Sequence, residues 1–297
     1  EDKYFGYLIH ELVKDLIPKE FPGLKEMHAV DVAGVHPLLL AVGQERYMPF
    51  RDKKPEEILT IGQRILGSGQ TSLAKYLIIA APENNESIDL YDFPAFFDYI
   101  LSRVRWETDL HFMTRTTIDT LDYSGDGWNS GSKLMIACCG PTIRQLTNQI
   151  PEPLISSTGA KSIKLFHPGI ICIQFPGFST YREETKIIEQ WLADLDPNGL
   201  AGIALIILCD DLDFTTTNWA NFLWVTFTRS NPSHDVSGVG QFIEFKHWGC
   251  KGPLVIDARI KPHHAPVLET DKNTVARVDK LFSKGGALYE LNKHRPY

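Results

Sequence analysis

The chain has 297 residues, 43% of them hydrophobic and 23% charged, with a formal net charge of −7. That length suits two ordinary domains, each with a core of its own, and the composition is globular with no low-complexity tract. An acidic balance excludes a chain-wide nucleic-acid surface, which needs a basic face, and no apolar run approaches the roughly 20 residues of a membrane span.

The chain opens without Met or a signal peptide, on EDKYFGYLIHELVKDLIP. Apolar residues at Phe5, Leu8, Ile9, Leu12, Val13 and Leu16 form a helical stripe that Pro18 is expected to end. This start in mid-helix reads as a cut in a longer chain. Pro22-Gly23 marks a turn, and Leu24–Val32 has room for a short strand. Gly34-Val35-His36-Pro37 then leads into the buried strand Leu38–Gly43, and Pro55–Leu66 reads as a helix with Glu56 and Glu57 at its positive end. Tyr76–Ala80 is a second apolar run of the kind buried on both faces. An acidic turn follows it, then an aromatic-rich helix around Tyr91, Phe93, Phe96, Phe97 and Tyr99. The polar loop Ile118–Gly131 precedes another buried strand, Leu134–Cys138.

The same order then returns. Phe166-His167-Pro168 precedes the strand Gly169–Phe175, Arg182–Leu195 is a helix, and Ile203–Leu208 is the counterpart of Tyr76–Ala80. Asn218, Trp219, Phe222 and Leu223 answer to Asp92, Phe93, Phe96 and Phe97. Ser102-Arg103 with Asp109 and Thr228-Arg229 with Asp235 close the two copies at a constant spacing of 126 residues. Leu254–Ala258 is the last buried strand, and Thr274–Tyr289 a further helix broken at Gly285-Gly286. The repeat predicts an α/β fold of two similar Rossmann-like modules, each a mostly parallel sheet flanked by helices. The expected division is 1–148 for the first module with its opening helix, 149–160 for a linker, and 161–297 for the second module with a C-terminal helix. Five aromatics within nine residues exceed what one buried helix stripe needs. They point either to a contact between copies, together with Trp219, Phe222, Leu223 and Trp224, or to a contact between modules.

Candidate chemistry is sparse. Cys138, Cys139, Cys172, Cys209 and Cys250 form no CxxC pair and read as buried reduced thiols, as in a cytoplasmic protein. The loop Gly125–Gly131 with Lys133 resembles a phosphate cradle, but it precedes a strand, whereas nucleotide loops follow a strand and open a helix. GSGQTS at Gly67–Ser72 lacks the Gly-Lys ending of a P-loop. Asp210, Asp211 and Asp213 stand where open α/β sheets bind ligands and could hold Mg²⁺, though solvated or capping carboxylates fit as well. His247, Cys250, His263 and His264 contain zinc-ligand types without a finger spacing. His36 and His167, each before a proline, read as structural, and Arg103–Asp109 and Arg229–Asp235 as local ion pairs. No GxSxG or HExxH pattern is present, and no reaction follows from the residues alone.

The first half resembles the C-terminal part of the UbiD family of prenylated-flavin-dependent carboxy-lyases. The stretches that carry the resemblance are the opening helix, GVHPLLLAVGQERY, AKYLIIA, Ser102-Arg103 with Asp109, and Ile118-Asp119-Thr120-Leu121-Asp122-Tyr123-Ser124 followed by Gly131-Ser132-Lys133. The second half keeps Thr228-Arg229-Ser230-Asn231-Pro232 with Asp235, Asp210-Asp211 with Asp213, and Ile256-Asp257-Ala258. The resemblance implies a C-terminal oligomerisation and substrate-closing region, here duplicated, of a decarboxylase acting on an aromatic or polyprenylated acid in quinone biosynthesis. Prenylated FMN, Mn²⁺ and K⁺ belong in that family to an N-terminal domain, so no catalytic, cofactor-binding or metal residue is assigned to this chain. The expected partners are further copies of the chain and the flavin-binding domain of the same protein. The alternatives are a free-standing α/β scaffold, or an enzyme using Asp210, Asp211 and Asp213 for a metal.

Overall fold

The computed structural model describes residues 8, 11–12, 14–47, 50, 52–83, 86–157, 162–266 and 270–292. The chain divides into two compact units, the first ending at His264 and the second beginning at Ala265. The first unit contains two five-stranded sheets of one topology. β1 (Glu26–Ala29), β2 (Leu38–Val42), β3 (Tyr76–Ala81), β4 (Leu110–Thr116) and β5 (Gly131–Cys139) are ordered β1-β2-β3-β5-β4. The second sheet draws on β6 (Ser162–His167), β7 (Ile170–Gln174), β8 (Leu205–Cys209) and β9 (Val236–Gly238). After the separate hairpin of β10 (Gln241–Glu244) and β11 (His247–Cys250), β12 (Leu254–Asp257) completes it in the order β6-β7-β8-β12-β9. In each sheet three parallel strands lie in the middle and both edge strands run antiparallel. The two apolar runs of the repeat, β3 and β8, are therefore the central strands. The edge strand β6 and the hairpin are additions to the elements expected from the sequence, since short half-exposed strands leave little apolar signal.

Alternation along the strands sorts the apolar residues into separate clusters. Leu38, Leu40, Tyr76, Ile78, Leu134 and Ile136 from the first sheet share one core with Ile170, Cys172, Leu205, Ile207, Leu254 and Ile256 from the second. The intervening residues face outward. Leu39, Leu77, Ile79 and Met135 pack under the helix Glu57–Leu66, and Ile171, Ile173, Ile206 and Val255 under the helix Tyr181–Ala193. The two aromatic helices, Phe93–Arg103 and Trp219–Thr228, both belong to the shared core. Phe97 meets Trp219 at 5.2 Å and Phe222 at 6.5 Å between ring centroids, and Phe166 stacks on Phe222 at 4.3 Å. Of the two surfaces these aromatics could cover, the structure shows the one between modules. A helix that is apolar nearly all round needs a core on several sides, and the facing module supplies it. Tyr91 and Trp224 remain exposed.

The helix caps repeat with the sequence. Asp92 Oδ1 accepts from the Ala95 N–H at 3.0 Å and Asn218 Oδ1 from the Asn221 N–H at 2.9 Å, each satisfying a first-turn donor. The opening helix falls mostly outside the described residues, and Leu8, Leu12 and Leu16 of its stripe are exposed. Pro18 does not end a helix. It sits in the first turn of Ile17–Glu20, where its missing N–H costs nothing. Within 149–160 the chain forms the helix Glu152–Ser157, whose Leu154 is buried in the outer cluster of the second sheet. In the unit after His264, Asp271 caps the helix Lys272–Phe282, and Tyr289–Asn292 follows the two glycines.

The shared core predicts one cooperative loss of both modules. Phe97→Ala and Phe222→Ala should each cost about 3–5 kcal/mol in urea denaturation, with one transition for both sheets. The double variant should cost less than the sum, because the rings touch each other.

Candidate functional site

Open α/β sheets bind ligands beyond the carboxyl ends of their strands, so these two edges are where a site belongs. In both modules that edge carries the segment that follows the aromatic helix, and one aspartate organises it. Asp109 Oδ2 accepts the Arg105 N–H at 2.8 Å, and Asp235 Oδ2 accepts the Asn231 N–H at 2.6 Å. The ion pairs expected within Arg103–Asp109 and Arg229–Asp235 do not form. Arg103 reaches Glu86 at 4.0 Å and Arg229 reaches Asp210 at 3.8 Å, because each aspartate turns inward to the backbone donors of its own loop.

Each edge is then closed by the opposite module. The Ser132 N–H donates to Asn231 Oδ1 at 3.1 Å, the Ser132 hydroxyl bonds the same oxygen, and the Ser233 N–H donates to Ser132 Oγ at 2.8 Å. Asp126 lies 3.3 Å from His234 Nε2. Reciprocally, His247 Nε2 hydrogen-bonds the Glu107 carbonyl at 2.9 Å, the Cys250 N–H donates to the Trp106 carbonyl at 3.2 Å, and Trp106 Nε1 donates to the Ala204 carbonyl at 2.9 Å. Two side-chain bonds add to the seam: Tyr76 to Ser230 at 2.7 Å and His167 to Asp98 at 2.8 Å.

Buried charges line it as well. The Lys75 and Asp122 side chains, 1% and 3% exposed, pair at 2.7 Å, and Lys75 also donates to Ser124 Oγ at 2.6 Å. Burial lowers the Lys75 pKa against the pull of Asp122. On the second module's side Lys261 lies 3.2 Å from Asp235 and donates to the Arg229 and Asp257 carbonyls. Arg259 forks onto Asp257 at 2.9 and 2.7 Å and reaches Glu184 at 2.9 Å. Burial raises the Asp235 carboxyl to about 6, opposed by Lys261, whereas the Arg259 and Lys261 partners hold Asp257 below the usual range in spite of its burial.

The candidates from the sequence fall elsewhere. Lys133 is buried and donates to the Ser72 carbonyl, so it does not serve the Gly125–Gly131 loop as a phosphate-binding cation. Asp211 caps the Phe214 N–H at 2.9 Å, Asp210 accepts the Ile260 N–H at 2.6 Å, and Asp213 pairs with Lys164, so the three acids serve as caps and ties. His263 meets His264 edge-on at 4.8 Å, and His247 bonds the Glu107 backbone carbonyl instead. Among the described residues no three His, Cys, Asp or Glu side chains converge on a metal position. The five cysteines are buried and unbonded to one another. His36 holds Asp119 at 2.8 Å, a structural role. Of the seam residues, Ser132, Ser230 and Asn231 occur in the sequence only as members of longer motifs, and Tyr76 only as part of an apolar run; none carries a local mark of a long-range bond.

Residues 3–138 match the 3-octaprenyl-4-hydroxybenzoate carboxy-lyase C-terminal domain. The first module is a UbiD-type C-terminal domain. Two chlamydial relatives extend the similarity across the second module. A protein of Chlamydia pneumoniae named as a 4-hydroxybenzoate decarboxylase subunit is 32% identical over 282 residues, 95% of this chain and 44% of that protein. An uncharacterised protein of Chlamydia trachomatis serovar D is 33% identical over 277 residues, 92% and 44% respectively. The chain thus spans less than half the length of these relatives. Vanillic acid decarboxylase of Sedimentibacter hydroxybenzoicus, 16% identical, matches over 60% of this chain and 31% of its own with a TM-score of 0.36. A UbiD-class enzyme of Pelotomaculum thermopropionicum in complex with FMN matches over 44% and 26% at a TM-score of 0.35. Neither structural score carries an argument about function.

At two of the helix ends where α/β folds hold a phosphate, a carboxylate is already in place. The Glu45 carboxylate already accepts the Glu56 and Glu57 N–H groups at 2.9 Å. At the other module the Glu183 and Glu184 carboxylates, in the first turn of the helix itself, accept from Ser179 just before it. An anion there would face a resident carboxylate. Among the described residues no helix is long and apolar enough to cross a membrane.

Two measurements check the seam. Lys75→Met should cost about 3–5 kcal/mol by leaving Asp122 buried without a countercharge, and Lys75→Met with Asp122→Leu should recover much of that loss in the same urea titration. The second concerns pH. Burial, reinforced by Lys261 and His263, lowers His264 to about 3, and its Nδ1 accepts the Lys261 N–H at 3.2 Å. The unfolded ring titrates near ~6.5, so below that value the unfolded state binds the proton first, and stability falls with pH through the window down to about 3. Asp235 acts in the opposite sense: its raised value adds stability in acid that is lost as pH rises through about 6. The parent should therefore lose more stability than His264→Asn on going from neutral to acidic pH.

Proposed function

We propose that the chain is the C-terminal oligomerisation and substrate-closing region of a UbiD-like carboxy-lyase, serving decarboxylation of an aromatic or polyprenylated aromatic acid in quinone biosynthesis. In this reading the chemistry belongs to a prenylated-FMN domain of the same protein with its Mn²⁺ and K⁺, and this chain supplies contacts between copies and a rigid cover for that domain. The observation that supports it is the mutual closure of the two carboxyl edges. In each module the segment after the aromatic helix is held by the other module, Asn231 by Ser132 and the Glu107 carbonyl by His247, which favours a part in contact. The chlamydial relative that is named a decarboxylase subunit agrees with a part in a larger assembly. The purified chain, mixed with prenylated FMN and 4-hydroxybenzoate, should take up no stoichiometric flavin by absorbance and release no CO₂. Stoichiometric uptake would overturn the assignment of the chemistry to another domain.

A further inference from the structure

The hairpin of β10 and β11 lies outside both sheets. Its register, Glu244 opposite His247, leaves Phe245-Lys246 as a two-residue turn, and both residues have positive φ, 47° and 69°. Turns of this hand ordinarily take Asn-Gly, because left-handed backbone is strained for other side chains and most of all for a bulky one. Burial among the described residues does not repay that strain, since Phe245 is 96% and Ile243 74% exposed. The base of the hairpin is fixed. A Cβ on Gly249 would lie 2.8 Å from the Glu107 carbonyl oxygen, and Trp248 meets Phe112 edge-on at 5.5 Å. A rigid arm thus holds an aromatic ring in water in a strained turn, and such strain marks a position kept for contact.

We propose that two copies of this chain meet hairpin to hairpin across a two-fold axis, with Phe245 against Phe245 and Ile243 beside it. The charges select a second copy as the occupant. Glu244 and Lys246 flank Phe245, both exposed, so a two-fold axis at Phe245 sets Glu244 of one copy opposite Lys246 of the other, twice over. A self-complementary patch of this kind is what a closed two-fold contact requires. Two turn tips cover less than the ~1,200 Å² of a stable interface, so the contact is of the transient class and strengthens with concentration. The inference rests on the self-association proposed above and names its surface.

Sedimentation equilibrium of the chain over a range of concentrations tests it. The average mass should rise above 33.6 kDa with concentration, and Phe245→Asp should weaken the association at least about tenfold. Glu244→Lys alone and Lys246→Glu alone should each weaken it by setting like charges face to face. The double reversal, Glu244→Lys with Lys246→Glu, should restore association to within about twofold of the parent, a rescue that a folding defect cannot give. Association unchanged by Phe245→Asp, or single reversals without rescue, would overturn the hairpin contact and leave self-association standing elsewhere. A strict monomer at every concentration would overturn both.

Discussion

Phe97 rests on Trp219 and Phe222, and Phe166 stacks on the same Phe222. The contact is a constraint on everything around it. Alternate residues of all six parallel strands point toward it, so neither inner sheet face can be wet unless both are. A sheet packed on one helix only at its outer face would leave its inner side chains in water at ~25 cal/mol per Å². The stability of each module is thereby lent by its neighbour, and boundaries read from composition alone carry little weight in such a pair.

The second constraint is polar. Bringing two sheets together face to face buries backbone groups and charged side chains at the rim of the contact, and these must find partners. Asp109 and Asp235 bind the backbone of their own loops, while Ser132, Asn231, His247 and Trp106 reach across. Lys75 with Asp122, and Arg259 with Asp257 and Glu184, are too deeply placed to contribute much net stability. What they do is tie segments within one module, Lys75 to the loop at Asp122 and Arg259 to the helix at Glu184, where removing one partner would strand a charge in the core.

Much of the fold was legible in the residues. Continuous apolar runs at Tyr76–Ala81 and Leu205–Cys209 announce strands buried on both faces, and the 126-residue spacing aligns even the helix caps Asp92 and Asn218. The edge strand β6 and the hairpin were hidden because they mix polar with apolar residues, and most of β10 is exposed. The seam was illegible for a different reason. Ser132 and Asn231 are 99 residues apart, and neither residue type signals a long-range bond. The aromatic helices showed plainly that they needed a partner, but an apolar face carries no mark saying whether that partner lies in the same chain.

The reciprocity of the seam has a consequence of its own. Glu107 stands 126 residues before Ser233, and each is gripped from the opposite sheet, Ser233 by the start of its last parallel strand and Glu107 by the hairpin that precedes it. Two halves that hold one another by the same segments are related as the protomers of a symmetric pair would be, only with a peptide tether between them. Tethering makes the pairing unimolecular and independent of concentration. It also frees the halves from identity, because a substitution in one is no longer copied into the other. The second half, which carries no Gly-Ser-Lys and has a hairpin in the corresponding connection, shows that freedom: the two modules are built as a tethered, asymmetric pair.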